Sequence, residues 1–319
     1  MINSISVLVA SRRQEAEDIV SFELASTGGS PLPPFSAGAH IDVEVEPGLV
    51  RQYSLCNDPD ESHRYLIAVL RDPRSRGGST GMHERIVVGQ ALRISAPKNH
   101  FPLQPAAHYL LFAGGIGVTP ILCMAERLAR TGAAFDMHYC VRSPARTAFV
   151  ERIRASAFAD RVRFYFDEGE ATRTLDLDAV LRAAPRGTHI YVCGPSGFID
   201  HVTGTARARG WPAEAVHQEY FGAVPVDTSA DASFEVCIAS SGKTCVVPAD
   251  KSVVQALAEH GIAIPVSCEQ GVCGTCITRV LDGTPDHHDM YFTDEEKARN
   301  DQFTPCCSRA KSRVLVLDL

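Results

Sequence analysis

The sequence predicts a multidomain protein built from three successive architectures. These are an antiparallel β-barrel, a Rossmann-like α/β domain on a parallel sheet, and a small α+β domain carrying a cysteine cluster. Three observations point there. At 319 residues the chain is too long for one ordinary core. Short β-type runs separated by turn formers fill its first third, whereas strands alternate with helices after Pro105. Near the C-terminus it reads VSCEQGVCGTC from Val266 to Cys276, three cysteines within nine residues.

The barrel strands are SISVLVASR, DIVSFELAS, HIDVEVEP, RQYSLCN, RYLIAVLR and QALRISAP. GGSPLPP, EPG and NDPDES punctuate them, the regular spacing of an antiparallel barrel or sandwich. HYLLFAGG then reads as a compact apolar strand, and PILCMAERLAR as a helix stopped by Gly132. FDMHYCVR, VRFYFDEG and THIYVCGP are further strands, with TAFVERIRAS and LDAVLRAA as helices between them. The small, polar GAVPVDTSADAS reads as a linker. FEVCIASS and KTCVVPAD suggest a hairpin, VVQALAEHG a short helix, and VLVLDL a closing strand. The expected boundaries are 1–104 for the barrel, 105–222 for the α/β domain, 223–232 for the linker and 233–319 for the last domain.

Composition narrows the function. Hydrophobic residues make up 45% and charged residues 22%, and the net charge is −7. Phosphate backbones require clustered Lys and Arg, so nucleic acid is excluded as a partner. The N-terminus lacks a basic, then apolar signal pattern, and no apolar stretch is long enough to cross a bilayer. The expectation is a cytoplasmic protein without membrane contact. Eleven cysteines in such a chain point to metal or redox chemistry rather than disulfides. The scattered ones, Cys56, Cys123, Cys140, Cys193, Cys237 and Cys245, read mostly as small buried hydrophobes.

Cys268, Cys273 and Cys276 follow C-x4-C-x2-C, with Cys306 after twenty-nine intervening residues. That is the plant-type 2Fe-2S spacing. Two irons need four thiolates, and backbone N–H groups must offset their charge. Gly271 and Gly274 allow the loop to curl where a Cβ would clash or a positive φ is required. A four-cysteine zinc site usually arrives as two C-x2-C-like pairs, which the x4 gap does not match. A Rieske centre needs two histidine ligands, and the motif has none. His287 and His288 read as a solvent-facing pair. The fourth ligand stays open between Cys306 and its neighbour Cys307, because only one of the two points inward in an extended segment.

Two further sets of residues carry chemistry. Arg51, Tyr53 and Ser54 sit in RQYSL, where an Arg can pair with phosphate and a Tyr can stack on a ring. Gly77, Gly78, Ser79 and Thr80 precede a short helical stretch and make a candidate phosphate cradle. AGGIGVTP follows a strand and opens a helix, with Gly115, Gly117, Thr119 and Pro120 as candidate nucleotide contacts. Pro120 stands where a dinucleotide fingerprint has its third glycine. Cys193, Gly194 and Pro195 end another strand, on the sheet edge where ligands of α/β folds bind. Arg142 and Ser143 end the second strand, and a basic residue there keeps NADPH open beside NADH.

RQYSLCN, RGGS, FAGGIGVTPIL, YVCGP, CEQGVCGTC and CCSRAKS together resemble the phthalate dioxygenase reductase family, which includes the reductases of vanillate demethylase and phenoxybenzoate dioxygenase. The resemblance runs over essentially the full length. It implies an FMN-binding barrel, an NADH-binding domain and a β-grasp plant-type ferredoxin. By it Arg51, Tyr53 and Ser54 hold the flavin, Gly78 to Thr80 its phosphate, and Phe221 packs on its ring. GGIGVTP and CGP take the nicotinamide cofactor, with Cys193 near the nicotinamide. The cysteine beginning C-x-S-R-A-K is the ligand, which selects Cys306. The implied activity is an NADH-dependent reductase passing electrons through FMN and the cluster to a separate Rieske-type aromatic oxygenase. No side chain is assigned a catalytic role, and a monomer is expected. The alternatives are a carrier feeding another acceptor, such as a P450 or a haem protein, and a flavin redox sensor.

Overall fold

The computed structural model describes residues 4–73, 75–168, 173–222 and 231–319. They form two compact units, Met1–Glu219 and Tyr220–Leu319. Residues 223–230, most of the expected linker, lie outside the described part.

The first unit opens with six antiparallel strands: β1 (Ser4–Ala16), β2 (Ile19–Ser26), β3 (His40–Glu46), β4 (Leu49–Ser54), β5 (Arg64–Leu70) and β6 (Ala91–Ser95). Helix α1 (Gly78–Glu84) lies between β5 and β6. The sheet runs β4-β3-β6-β1-β2-β5. A bridge from Leu55 to Ile67 joins the end of β4 to β5, so the two edge strands meet. Phe22, Leu24, Ile41, Val43, Ile67 and Met82 fill the interior. Alternation along β1 shows the pleat: Val7 and Val9 are buried while Ser6 and Leu8 face outward.

The parallel sheet of the same unit uses β7 (His108–Gly114), β8 (Phe135–Val141), β9 (Val162–Phe166), β10 (Thr188–Cys193) and β11 (Val216–Glu219), in the order β11-β10-β7-β8-β9. All seven residues of β7 are buried, as expected for a strand covered on both faces. Helices α2 (Val118–Arg130), α3 (Val150–Arg154), α4 (Leu177–Ala183) and α5 (Ser196–Ala208) connect the strands. α3 is shorter than the sequence suggests, because Phe149 adopts a positive φ of 62° just before it. α5 and β11 were not foreseen. Ile199, Val202 and Ala206 supply the buried stripe of α5 at helical spacing. The second strand–helix boundary also shifts: α1 begins at Gly78, so Ser79 and Thr80 lie inside its first turn.

The second unit pairs β12 (Phe234–Ile238) with β13 (Thr244–Val247) as the expected hairpin, followed by α6 (Val253–Glu259). Next come β14 (Thr278–Asp282), β15 (Pro285–Asp286), α7 (Asp294–Arg299), β16 (Gln302–Phe303), β17 (Arg309–Ala310) and β18 (Val314–Leu317). The main sheet runs β13-β12-β18-β14-β16, and the closing strand β18 lies parallel to β12 at its centre. This is the β-grasp arrangement, with α6 packed through Val253, Ala256 and Leu257. Ser252 and Gln255 form a capping box that fixes where α6 begins. Among the described residues no helix is long and apolar enough to cross a membrane.

Candidate cofactor sites

In the barrel, Arg51 and the glycine turn come together. Arg51 lies in β4, and its guanidinium donates to the carbonyls of Val50 at 2.7 Å and Arg76 at 3.3 Å. A Cβ on Gly78 would stand 2.5 Å from Arg51 Cγ, so glycine there lets the arginine lie against the turn. Gly77 caps α1 with a φ of 87°, a conformation that favours glycine. The Ser75 hydroxyl accepts from Thr80 N–H at 3.4 Å, and the Ser79 hydroxyl accepts from Asp72 N–H at 3.1 Å. Tyr53 is half-buried, with its phenol pushed up by burial. Ser54 is buried, opposite His40 in the β3–β4 pair.

Ser54 leads to a residue the sequence reading missed. Its hydroxyl lies close enough to the carboxyl of Glu219 to lower that group, and the Glu219 oxygen Oε2 is buried without a partner among the described residues. Burial pushes Glu219 up to about 8 against the lowering effect of Ser54. Glu219 pairs with Cys193 across β11 and β10. Burial, then the Glu219 charge, raises the Cys193 thiol well above its ordinary value. Glu219 lies within QEYF, a segment singled out only for Phe221. The signal available was a carboxylate ending a strand beside the sheet edge, which is visible only once β11 is recognised.

The nucleotide motifs meet at the C-terminal edge of the parallel sheet. Gly115–Gly117 form a 3-10 turn after β7, and Gly115 has a φ of 53° with open space around it. This leaves backbone that a ligand can approach closely. The turn packs directly on the end of β10. A Cβ on Gly117 would lie 2.3 Å from the Cys193 carbonyl oxygen, and one on Gly194 would lie 2.8 Å from Gly114 Cα. Pro195 caps α5 and lies against Gly114. Thr119 and Pro120 are buried in the first turn of α2, and the Thr119 hydroxyl donates to the Ile116 carbonyl at 3.1 Å. Arg142 is exposed and Ser143 half-buried just beyond β8, on the same edge. Phe221 belongs to the second unit and is 40% exposed.

In the second unit the predicted ligands lie near one another as pairs. Cys268 and Cys273 act most strongly on one another, and Cys276 acts most strongly on Cys306. Cys268 holds Cys273 down to about 5 and is itself driven upward. Cys306 is pushed up to about 12, first by Cys276. Among the described residues no three His, Cys, Asp or Glu side chains gather closely enough for a single metal ion. Four thiolates are the ligand number that a two-iron group takes. Backbone N–H groups aim at the sulfurs: Gln270 at Cys268, 3.3 Å, and Thr275 at Cys273, 3.5 Å. Those donors suit thiolates held by a negatively charged cluster.

The two loop glycines behave as expected. Gly271 has a φ of 70°, and its Cβ would meet Cys307 Sγ at 2.4 Å; Gly274 has a φ of 68°, and its Cβ would meet the Tyr291 ring at 2.4 Å. Cys307 also contacts Cys306, but its sulfur is bonded to the hydroxyls of Thr304 and Ser308. The solvent-facing reading of His287 and His288 is wrong. Their side chains are 8% and 12% exposed, held by Asp289 and Asp286 respectively. Pairing with carboxylates makes their burial possible.

The fold and these residues define a class: an oxidoreductase joining a barrel and nucleotide-type sheet to an iron–sulfur unit. The 2Fe-2S iron-sulfur cluster binding domain family matches residues 236–311. The N-terminal domain family of dimethylamine monooxygenase subunit DmmA-like proteins matches residues 98–216. Vanillate O-demethylase oxidoreductase from Pseudomonas putida is 59% identical, over 99% of this chain and 100% of its own length. The solved structure of phthalate dioxygenase reductase, described as modular for electron transfer from pyridine nucleotides to 2Fe-2S, is 40% identical with a TM-score of 0.79, covering 99% of this chain and 98% of that one. An intact type IV self-sufficient cytochrome P450 monooxygenase is 38% identical with a TM-score of 0.85, covering 99% of this chain but 41% of that one. The chain belongs to the vanillate O-demethylase reductase and phthalate dioxygenase reductase family.

Proposed function

We propose that this chain is the reductase component of a two-component Rieske-type aromatic oxygenase. It passes electrons from NADH through FMN to a 2Fe-2S cluster and on to the oxygenase. The carrying observation is the pairing of Cys268 with Cys273 and Cys276 with Cys306 inside a 2Fe-2S-type unit, downstream of a barrel and nucleotide edge. The bound cofactors supply the electron chemistry: FMN takes two electrons as hydride and releases them singly, and the cluster carries one at a time.

The chain's own residues bind and orient. Arg51 and the N–H groups of Gly78, Ser79 and Thr80 would hold the FMN phosphate, beside Tyr53 and Ser54. Gly115 to Thr119, with Cys193, Gly194 and Pro195, would hold the pyridine nucleotide at the sheet edge. Glu219 and Ser54 would keep a protonatable pair beside Cys193. Arg142 and Ser143 would line the ribose end, and Arg142 leaves NADPH as a second donor. Cys268, Cys273, Cys276 and Cys306 would hold the cluster. We assign the 1–104, 105–222 and 233–319 segments to these three tasks, in a cytoplasmic monomer.

An absorption spectrum with iron, sulfide and flavin analysis tests the cofactors, and NADH-driven turnover of a purified Rieske oxygenase tests the acceptor. Zinc without iron, or no flavin, would overturn the reading. The likeness to a self-sufficient P450 favours a second acceptor. Reduction of a P450 but not of a Rieske oxygenase would select it.

A further inference from the structure

Among the described residues of the second unit, Asp289 is the one carboxylate that is buried, with its side chain wholly enclosed. Both oxygens accept. Oδ2 takes the N–H groups of Tyr291 at 3.1 Å and Phe292 at 2.9 Å. Oδ1 takes His287 Nδ1 at 3.1 Å and the Ser308 hydroxyl at 3.4 Å. Its carbonyl accepts from Lys297 Nζ at 2.7 Å, which ties α7 to the same spot.

The surroundings matter more than the count. On one side, Met290 N–H donates to the Gly271 carbonyl at 3.0 Å, and the Asp289 backbone lies 3.0 Å from where a Gly271 Cβ would be. On the other, Ser308 lies two residues beyond Cys306, and its hydroxyl also meets Thr304 at 2.9 Å and His288 N–H at 3.2 Å. The Asp289 segment therefore bridges the three-cysteine loop and the turn between β16 and β17 that carries Cys306. These two ligand segments are far apart in sequence.

We propose that Asp289 is a positioning residue that holds the two cysteine-bearing segments in register and lowers the reduction potential of the cluster they carry. A cluster gains negative charge on reduction, and a fixed buried carboxylate opposes that gain more strongly than an exposed one. The proposal rests on the iron–sulfur reading above.

The test is an EPR-monitored redox titration of the full-length holoprotein for wild type, Asp289→Asn and Glu295→Gln. The Asn carbonyl can still accept backbone N–H groups, while Glu295 removes one exposed acid of the same unit as a control. The expected result is a clear upward shift of the cluster potential in Asp289→Asn, larger than in Glu295→Gln, with altered EPR line shape. Equal potentials in the two variants would overturn the proposal. If Asp289→Asn holds no cluster, far-UV circular dichroism decides: a wild-type spectrum supports the positioning role, and a collapsed one leaves only a structural role and overturns it. A wild-type protein without iron would instead sink the iron–sulfur reading itself.

Discussion

Glu219 lies opposite Cys193 in the parallel pairing of β11 with β10, and the Ser54 hydroxyl acts on its carboxyl. Burial raises it from its ordinary 4.5 to about 8. Between those values the folded protein keeps a proton that the unfolded chain has lost. Stability must therefore fall as pH rises through that window, and below it the group contributes nothing. Each unit of displacement is worth about 1.4 kcal/mol at most. Glu219→Gln should remove this slope, so its melting temperature should gain on the wild type from pH 5 to pH 8. Parallel curves for the two proteins would show that Glu219 is ionised throughout.

The Gly117–Cys193 contact gives a second prediction. A Cβ at Gly117 would sit 2.3 Å from a backbone carbonyl that cannot swing away. Gly117→Ala must therefore separate the two turns at the end of β7 and β10. Overpacking of this kind costs roughly 1–3 kcal/mol. The KM for NADH should rise about tenfold or more, by the conversion of that energy to binding, while flavin content stays unchanged. Stopped-flow flavin reduction with varied NADH measures it, and an unaltered KM would contradict the packing argument.

The sequence showed the strands and the alternation after Pro105 because period-two and helical patterns are written in local order. It showed the plant-type spacing because ligand geometry constrains short intervals. α5 escaped notice because Gly197, Thr203, Gly204 and Thr205 dilute its helix propensity, while only Ile199, Val202 and Ala206 mark its face. Glu219 and Asp289 escaped for a different reason. Each becomes informative through partners distant in sequence, Ser54 for one and Ser308 for the other. His287 reads as polar and therefore exposed until Asp289 is seen to satisfy it.

Cys306 and Cys307 separate in the same way. Both are half-buried, but Cys306 contacts Cys276 and Cys307 turns to Thr304 and Ser308. Cys307→Ser should retain near-full iron and sulfide, since a hydroxyl can replace the thiol among hydroxyl partners. Cys306→Ser should lose most of the cluster or leave a labile one. Iron and sulfide analysis with the visible spectrum reads both, and the reverse pattern would move the ligand to Cys307.

The acids of α7 supply the last prediction. Asp294, Glu295 and Glu296 occupy its first turn, where Thr293 caps the helix through a capping box with Glu296. Lys297 from the same helix reaches the Asp289 carbonyl, so this acidic turn is fixed to the segment that lies against the cysteine loop. A partner with a basic rim would be steered toward that turn, and such steering acts on association rate and fades with salt. Charge reversal, Glu295→Lys with Glu296→Lys, should slow electron transfer to the oxygenase about tenfold or more at low ionic strength, within the range of electrostatic steering. Transfer to ferricyanide should stay nearly unchanged, because a small anion needs no basic docking face. Helix loss is a separate outcome, since Glu296 also closes the capping box; Glu295→Lys alone retains that box and should show about half the effect on a logarithmic scale. Equal slowing with both acceptors, or a slowing that persists undiminished in high salt, would remove the acidic turn from the docking surface.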